Sequence, residues 1–312
     1  MKQSLQAQAS EYLQLRRAMG HQLARHDSLL TSFLDYLQQS GRQRISVEIA
    51  LEWACLPATT DPRWKAARLS AVRGFAAYVH AREPGAASLI PSGLIPTTVI
   101  RQQPYIYAPE QTRALMAAAL TLQPPLRGLT MNTVIGLMAA TGMRISECLG
   151  LNIADFDWPA GMLTVRGKRS NPRLVPISPS TTTALRHYLK ASRELSTCND
   201  PEAFFVNMYH KRPHSTGVDG AFRSLHEALG FKARPGGKAP RLHDLRHTFA
   251  TNALLQACRD GVDVDARIAV LATYLGHVSP ASTYWYFTAV PELLALASDR
   301  VRTAQTNGAL LS

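Results

Sequence analysis

The feature that most limits the fold of this 312-residue chain is a break in its patterning. From Pro84 to Pro104 the sequence is rich in Pro, Gly and Ser and has no apolar period, which marks a linker. Before it, only helical spacing is found. Residues 10–39 read as one helix, because Tyr12, Leu13, Leu15, Met19, Leu23, Leu29, Leu30, Phe33, Leu34 and Leu37 recur at three- and four-residue steps. Further helices are expected at about 46–55, after Ser46, and about 62–81, after Asp61. A second unit begins near Ala108, where PEQTRALMAAAL reads as a helix with Pro109 in its first turn. The expected organisation is a helical domain at 1–85, a linker at 86–107, a second domain at 108–305 and a tail at 306–312. With 46% hydrophobic residues the chain can furnish a core for each domain.

The second domain breaks the helical pattern once. Met162–Val165 and Arg173–Ile177 are short β-prone runs on either side of Gly167, Lys168, Arg169, Ser170, Asn171 and Pro172, so they read as a hairpin with a basic tip. The fold class expected is mostly α with a small β-sheet or hairpin, an α+β domain preceded by an all-α one. No internal repeat and no low-complexity segment is visible.

Charge narrows the partners. Lys and Arg number 34 against 22 Asp and Glu, a net charge of +12 that favours a polyanion. Residues 1–100 carry +4 of this and the remainder +8, so both domains can meet such a partner. Cys55, Cys148, Cys198 and Cys258 lie far apart without a CxxC pair, which fits neither a zinc knuckle nor a disulfide framework. The start MKQSLQAQASEYL has no apolar core of a signal peptide, and no run of about 18 apolar residues occurs. A cytoplasmic protein with no membrane partner is expected.

Basic residues in four strings then suggest chemistry: ATGMRISECLGL (140–151), TVRGKRSNPRLVPI (164–177), HDLRHTFAT (243–251) and YLGHVSPASTYWY (274–286). They contain Arg144, Lys168, His243, Arg246 and His277, followed nine positions later by Tyr286. Two arginines, a lysine and two histidines suit one phosphate undergoing in-line attack, and a tyrosine can make that attack without a metal. These strings, in this order from about residue 108 to 290, closely resemble the boxes of the tyrosine recombinase (phage integrase) family. The resemblance implies an N-terminal SAM-like core-binding domain and a C-terminal catalytic domain, closing as a two-domain clamp on duplex DNA. It implies a transposon-type or Xer-like integrase, associated with the bacterial nucleoid. Such an enzyme cleaves and rejoins double-stranded recombination sites through a 3′-phosphotyrosyl bond, as a homotetramer or with related recombinases, and takes no cofactor and no metal. Integration, excision or transposition of a mobile element would follow.

On that resemblance each position has an expected role. Arg144 and Arg246 would bind nonbridging oxygens with planar, permanently charged donors. His243 and Arg246, three apart on a helix, would share a face, and His277 would complete the cage. Either histidine can assist deprotonation of the tyrosine. Lys168 could protonate the departing 5′ oxygen, while Arg169 and Arg173 read as positioning contacts with the DNA backbone. Glu147, three residues after Arg144, could orient it, although a lone Glu is more commonly on a solvated helix face. His247 reads as a packing residue. Tyr286 is the nucleophile by its interval from His277, and Tyr284 is the rival. The two diverge by about 200° on a helix, so only one can face the phosphate.

Other classes compete. An accessory DNA-binding protein could keep this fold without strand exchange. A metal hydrolase would use His243 and His247 with Asp244, but HDLRH lacks the usual glutamate and sets an arginine beside the cation. The segment between Arg246 and His277 is longer by about two turns than in the compact bacterial resolvases, which resembles the transposon-borne branch of the family.

Overall fold

In the computed structural model, residues 3–21, 23, 25–56, 61–97, 103–167, 170–196, 199–232 and 239–276 are described. The chain divides into two compact units, Met1–Ile100 and Arg101–Ser312.

The first unit has four helices among its described residues: α1 (Leu5–Ala18), α2 (His26–Gln39), α3 (Val47–Cys55) and α4 (Pro62–Arg82). Three start where a side-chain oxygen meets an otherwise unpaired amide: Ser4 accepts from Ala7 N–H, Ser46 from Ile49 N–H and Asp61 from Arg63 N–H. Phe33, Ile45, Ile49, Trp53, Val72 and Phe75 form its fully buried centre. The single helix expected over 10–39 is instead two. The first ends at Ala18, where Gly20 adopts a left-handed φ of 81° and returns its N–H to the Arg17 carbonyl. Leu15 and Met19 are consequently exposed, although their spacing continues the apolar stripe. Part of the expected linker is packed. Ser88 N–H donates to Ile45 O, Ile45 N–H donates to Ala86 O, and Ala87 and Ile90 lie in the first core.

The second unit is built around α6 (Pro125–Thr141), against which pack α5 (Pro109–Ala119), α8 (Pro179–Leu195) and α10 (Asp244–Arg259). Met131, Val134, Ile135 and Met138 put most of the circumference of α6 in the core, as expected of a helix surrounded by others. The short α7 (Ile145–Leu149) leads into an antiparallel sheet, β1 (Phe156–Asp157), β2 (Met162–Gly167) and β3 (Ser170–Pro176), in the order β1-β2-β3. The expected hairpin is therefore present, with a two-residue strand added to its edge. Leu163 faces Val175 and Val165 faces Arg173 across the ladder. Helices α9 (Ser215–Ala228) and α11 (Val264–Leu275) complete the unit. Tyr107, two residues before α5, is buried and donates its N–H to Thr248 Oγ1 on α10, so the end of the expected linker belongs to this unit. Among the described residues, no helix is long and apolar enough to cross a membrane.

Candidate active site

The site begins at the end of α6. Gly142 takes a left-handed φ of 63°, and a Cβ there would lie 2.5 Å from Cδ1 of Phe249, so both backbone and space demand glycine. The turn delivers Arg144 to the start of α7, where Glu147 reaches back to it. The Arg144 backbone N–H donates to Glu147 Oε2 at 2.9 Å, and Arg144 Nη1 donates to Oε1 at 2.7 Å.

Glu147 is not on a solvated face: its side chain is 3% exposed. It receives a second arginine from β3, with Arg173 Nη2 donating to Oε2 at 2.8 Å and Nη1 to Oε1 at 3.2 Å. Burial raises its pKa, but the hydrogen bonds from the Arg173 side chain and the Arg144 backbone, with the charges behind them, outweigh that and hold it at about 2. The carboxylate is thus ionised and shared. Arg173, expected to contact the DNA backbone, here has a side chain 11% exposed, with its donors turned onto Glu147 and the Tyr274 carbonyl. The cause is strand alternation, which puts Arg173 on the same side of β3 as buried Val175 while Leu174 faces solvent.

Arg246, on the first turn of α10, is 1% exposed. Its Nη1 donates to Gly142 O at 2.8 Å and its Nη2 to Leu275 O at 2.7 Å. Arg144 Nη2 donates to Gly276 O at 2.9 Å. The turn after α6 and the end of α11 are thereby tied together by the two arginines that the sequence singled out.

His243 is the residue that begins α10, half-buried, with its ring 4.9 Å from the His247 ring and perpendicular to it. Burial lowers its pKa to about 4, helped by the positive charges of Arg246, Arg241 and Arg144, so the imidazole is neutral at pH 7. Buried Asp244 accepts from the Arg241 backbone N–H at 2.8 Å and from Arg241 Nη2 at 3.1 Å. His247 Nε2 is 4.0 Å from Asp244 Oδ1. Among the described residues no three of His, Cys, Asp and Glu are placed to hold a metal ion, so His243, His247 and Asp244 do not form such a group.

Arg144, Glu147, Arg173, His243 and Arg246 therefore come together from α7, β3 and α10. Lys168, Arg169, His277, Tyr286 and Tyr284 lie outside the described residues. Sequence reasoning missed the inward role of Arg173 and the pairing of Arg241 with Asp244. For Arg173 a signal existed, the alternation Arg173, Val175, Ile177; for Arg241 there was none.

Electrostatically, the guanidiniums of Arg144 and Arg173 share the Glu147 carboxylate, and Arg246 holds the neighbouring Leu275 carbonyl, beside a neutral imidazole. Arg144 is the accessible member, its side chain 35% exposed. Such a site attracts an anion and stabilises charge that grows on it.

A sequence profile described as the phage integrase family matches residues 107–292. The integrase/recombinase y4rB of Sinorhizobium fredii is 36% identical over 298 residues, covering 93% of this chain and 95% of the relative. The tyrosine recombinase XerD of Lacticaseibacillus casei is 30% identical over 262 residues, covering 82% and 84%. The Tn1549 transposon integrase, solved in complex with transposon right end DNA, superposes with a TM-score of 0.65 at 14% identity, covering 95% of this chain and 99% of that one. A lambda integrase dimer bound to a COC′ core site gives a TM-score of 0.61 at 16% identity, covering 89% and 96%, and likewise shows the shared fold.

Proposed function

The chain belongs to the phage integrase family of tyrosine recombinases, and from that premise we propose that it cuts and rejoins duplex DNA at specific sites through Tyr286, without a metal. That it is a site-specific DNA recombinase follows from the family; the chemistry below is our assignment. The observation that carries it is the convergence of Arg144 and Arg246, with Glu147 fixing the first, in one cluster at the end of α11 beside His243.

Attack on a phosphodiester turns one negative charge on the nonbridging oxygens into two. Positive charge from Arg144 and Arg246 meets that requirement, and it acts from groups already held in place by Glu147 and by backbone carbonyls. Arg144 and Arg246 are assigned to those oxygens. His243, neutral in the free protein, can accept a proton. An arriving phosphate offsets the cations that depress it, and so moves its pKa upward toward the range useful for a base. His243 or His277 takes the Tyr286 proton, the phenolate oxygen bonds to phosphorus, and the bond to the 5′ oxygen breaks. Lys168 supplies the proton to that oxygen. The phosphotyrosyl bond keeps the phosphodiester's energy, so a 5′ hydroxyl of another strand can reseal it without ATP.

The two compact units are assigned as a core-binding domain and a catalytic domain that together clamp the duplex, and four copies as the unit of exchange. The Tn1549 and lambda integrase structures, both with DNA, support a double-stranded partner. Strand exchange between two labelled duplexes carrying the DNA that flanks this gene tests the assignment. Wild-type protein should exchange strands in EDTA, and Tyr286→Phe should bind the duplex with unchanged affinity and exchange none. Exchange by Tyr286→Phe would overturn it.

A further inference from the structure

Three arginines from three separate elements grip three consecutive carbonyls at the end of α11. Arg173 Nε donates to Tyr274 O at 2.7 Å, Arg246 Nη2 to Leu275 O at 2.7 Å and Arg144 Nη2 to Gly276 O at 2.9 Å. The last carbonyls of a helix have no amide partner within it and form the negative end of its dipole, so cationic donors suit them. Gly276 itself is left-handed, and a Cβ there would meet Arg173 Nη1 at 3.1 Å and Arg144 Nη1 at 3.7 Å. Both guanidiniums thus close around this turn, and the next residue in sequence is His277.

Arg144 and Arg246 have assigned roles, whereas Arg173 has none. Its side chain is largely enclosed, and its Nε, Nη1 and Nη2 all donate within the protein. It nevertheless reaches Arg144 by two routes. One runs through Glu147, whose carboxylate it shares with Arg144 as a two-pronged partner. The other runs through the carbonyls of 274–276, which the two arginines hold at opposite ends of the same three-residue turn.

We propose that Arg173 is a positioning residue for strand cleavage, fixing the Arg144 guanidinium through Glu147 and the end of α11 through the Tyr274 carbonyl. The inference rests on the reading of Arg144 as a ligand of the reacting phosphate. A shift of about 1 Å in such a ligand can cost about 10²-fold in rate. Lysine cannot replace the arginine, because one ammonium does not span a carboxylate fork and a separate carbonyl.

The test compares wild type, Arg173→Lys and Arg173→Gln, in EDTA and well below their unfolding midpoints. DNA affinity is measured over a series of salt concentrations, and single-turnover cleavage at saturating nicked duplex. Arg173→Lys keeps a charge beside Glu147 and should remain folded even if Arg173→Gln does not. The expected result for Arg173→Lys is wild-type affinity and salt dependence with cleavage about 10²-fold slower. Wild-type cleavage by folded Arg173→Lys would reduce Arg173 to support of the fold and overturn the proposal. Weaker binding with a salt slope smaller by about one, and normal cleavage at saturation, would return Arg173 to the DNA backbone and overturn it equally. Absence of any wild-type adduct on the cognate duplex would instead remove the recombinase chemistry assigned here, and this inference with it.

Discussion

Glu147→Gln tests whether one buried carboxylate organises this site. In the folded chain the Glu147 pKa is about 2, against an ordinary 4.5. That difference corresponds to about 3 kcal/mol of stability at pH 7. The sign follows from the direction of the shift: the folded pKa is depressed, so the contribution is complete above pH 4.5 and fades as pH falls toward 2. At pH 3 about 1.4 kcal/mol of it should remain. An independent route gives a similar size, because removing one partner of a buried ion pair costs about 3–5 kcal/mol. Glutamine keeps the shape and one acceptor but leaves Arg173 enclosed without its anion. Urea unfolding, read by hydrogen exchange in peptides spanning β2 and β3, reports the second unit separately from the first. Glu147→Gln should lose about 3 kcal/mol at pH 7 and about half that at pH 3. A loss under about 0.5 kcal/mol at pH 7, or one that does not change with pH, would refute the account of Glu147 as a shared, ionised bridge.

Other perturbations bear on neighbouring parts of the site. Gly142→Ala places a Cβ against Phe249 at a left-handed φ and should lower stability by about 1–3 kcal/mol, measured as a fall in the thermal midpoint. Arg246→Lys removes the two-pronged grip on Gly142 O and Leu275 O. It should slow cleavage at least about 10²-fold and also cost about 1–3 kcal/mol in urea unfolding, since Arg246 is buried. Imidazole NMR of the free protein should show His243 titrating near pH 4 rather than 6.5, and its midpoint should rise when cognate duplex binds. Because the depressed pKa keeps the folded state from taking up a proton, His243 should reduce stability as pH falls from 6.5 to 4, a dependence that His243→Asn abolishes.

What the sequence made legible was what depends on near neighbours. Ser46 and Asp61 announced α3 and α4 because a cap is a local hydrogen bond, and the β-prone runs around 162–177 announced the hairpin. The break between α1 and α2 was hidden, because Leu15, Met19 and Leu23 carry the apolar spacing across Gly20. β1 was hidden by its length, since Phe156–Asp157 is too short to show alternation. Of the site, the motifs identified Arg144, His243 and Arg246 and raised Glu147. They did not reveal that Glu147 serves two arginines, or that 274–276 are bound by side chains from α7, β3 and α10. Those contacts join positions 26 to 132 residues apart, and no local pattern encodes them.

The central claim is covalent cleavage by one tyrosine without a metal, and the most direct measurement of it is peptide mapping of a trapped adduct. Wild-type protein is incubated in EDTA with a nicked duplex bearing the DNA that flanks this gene, then denatured, digested and sequenced by mass spectrometry. The account predicts a 3′-phosphotyrosyl peptide at Tyr286. An adduct at Tyr284, or cleavage that appears only when a divalent metal is restored, would contradict it.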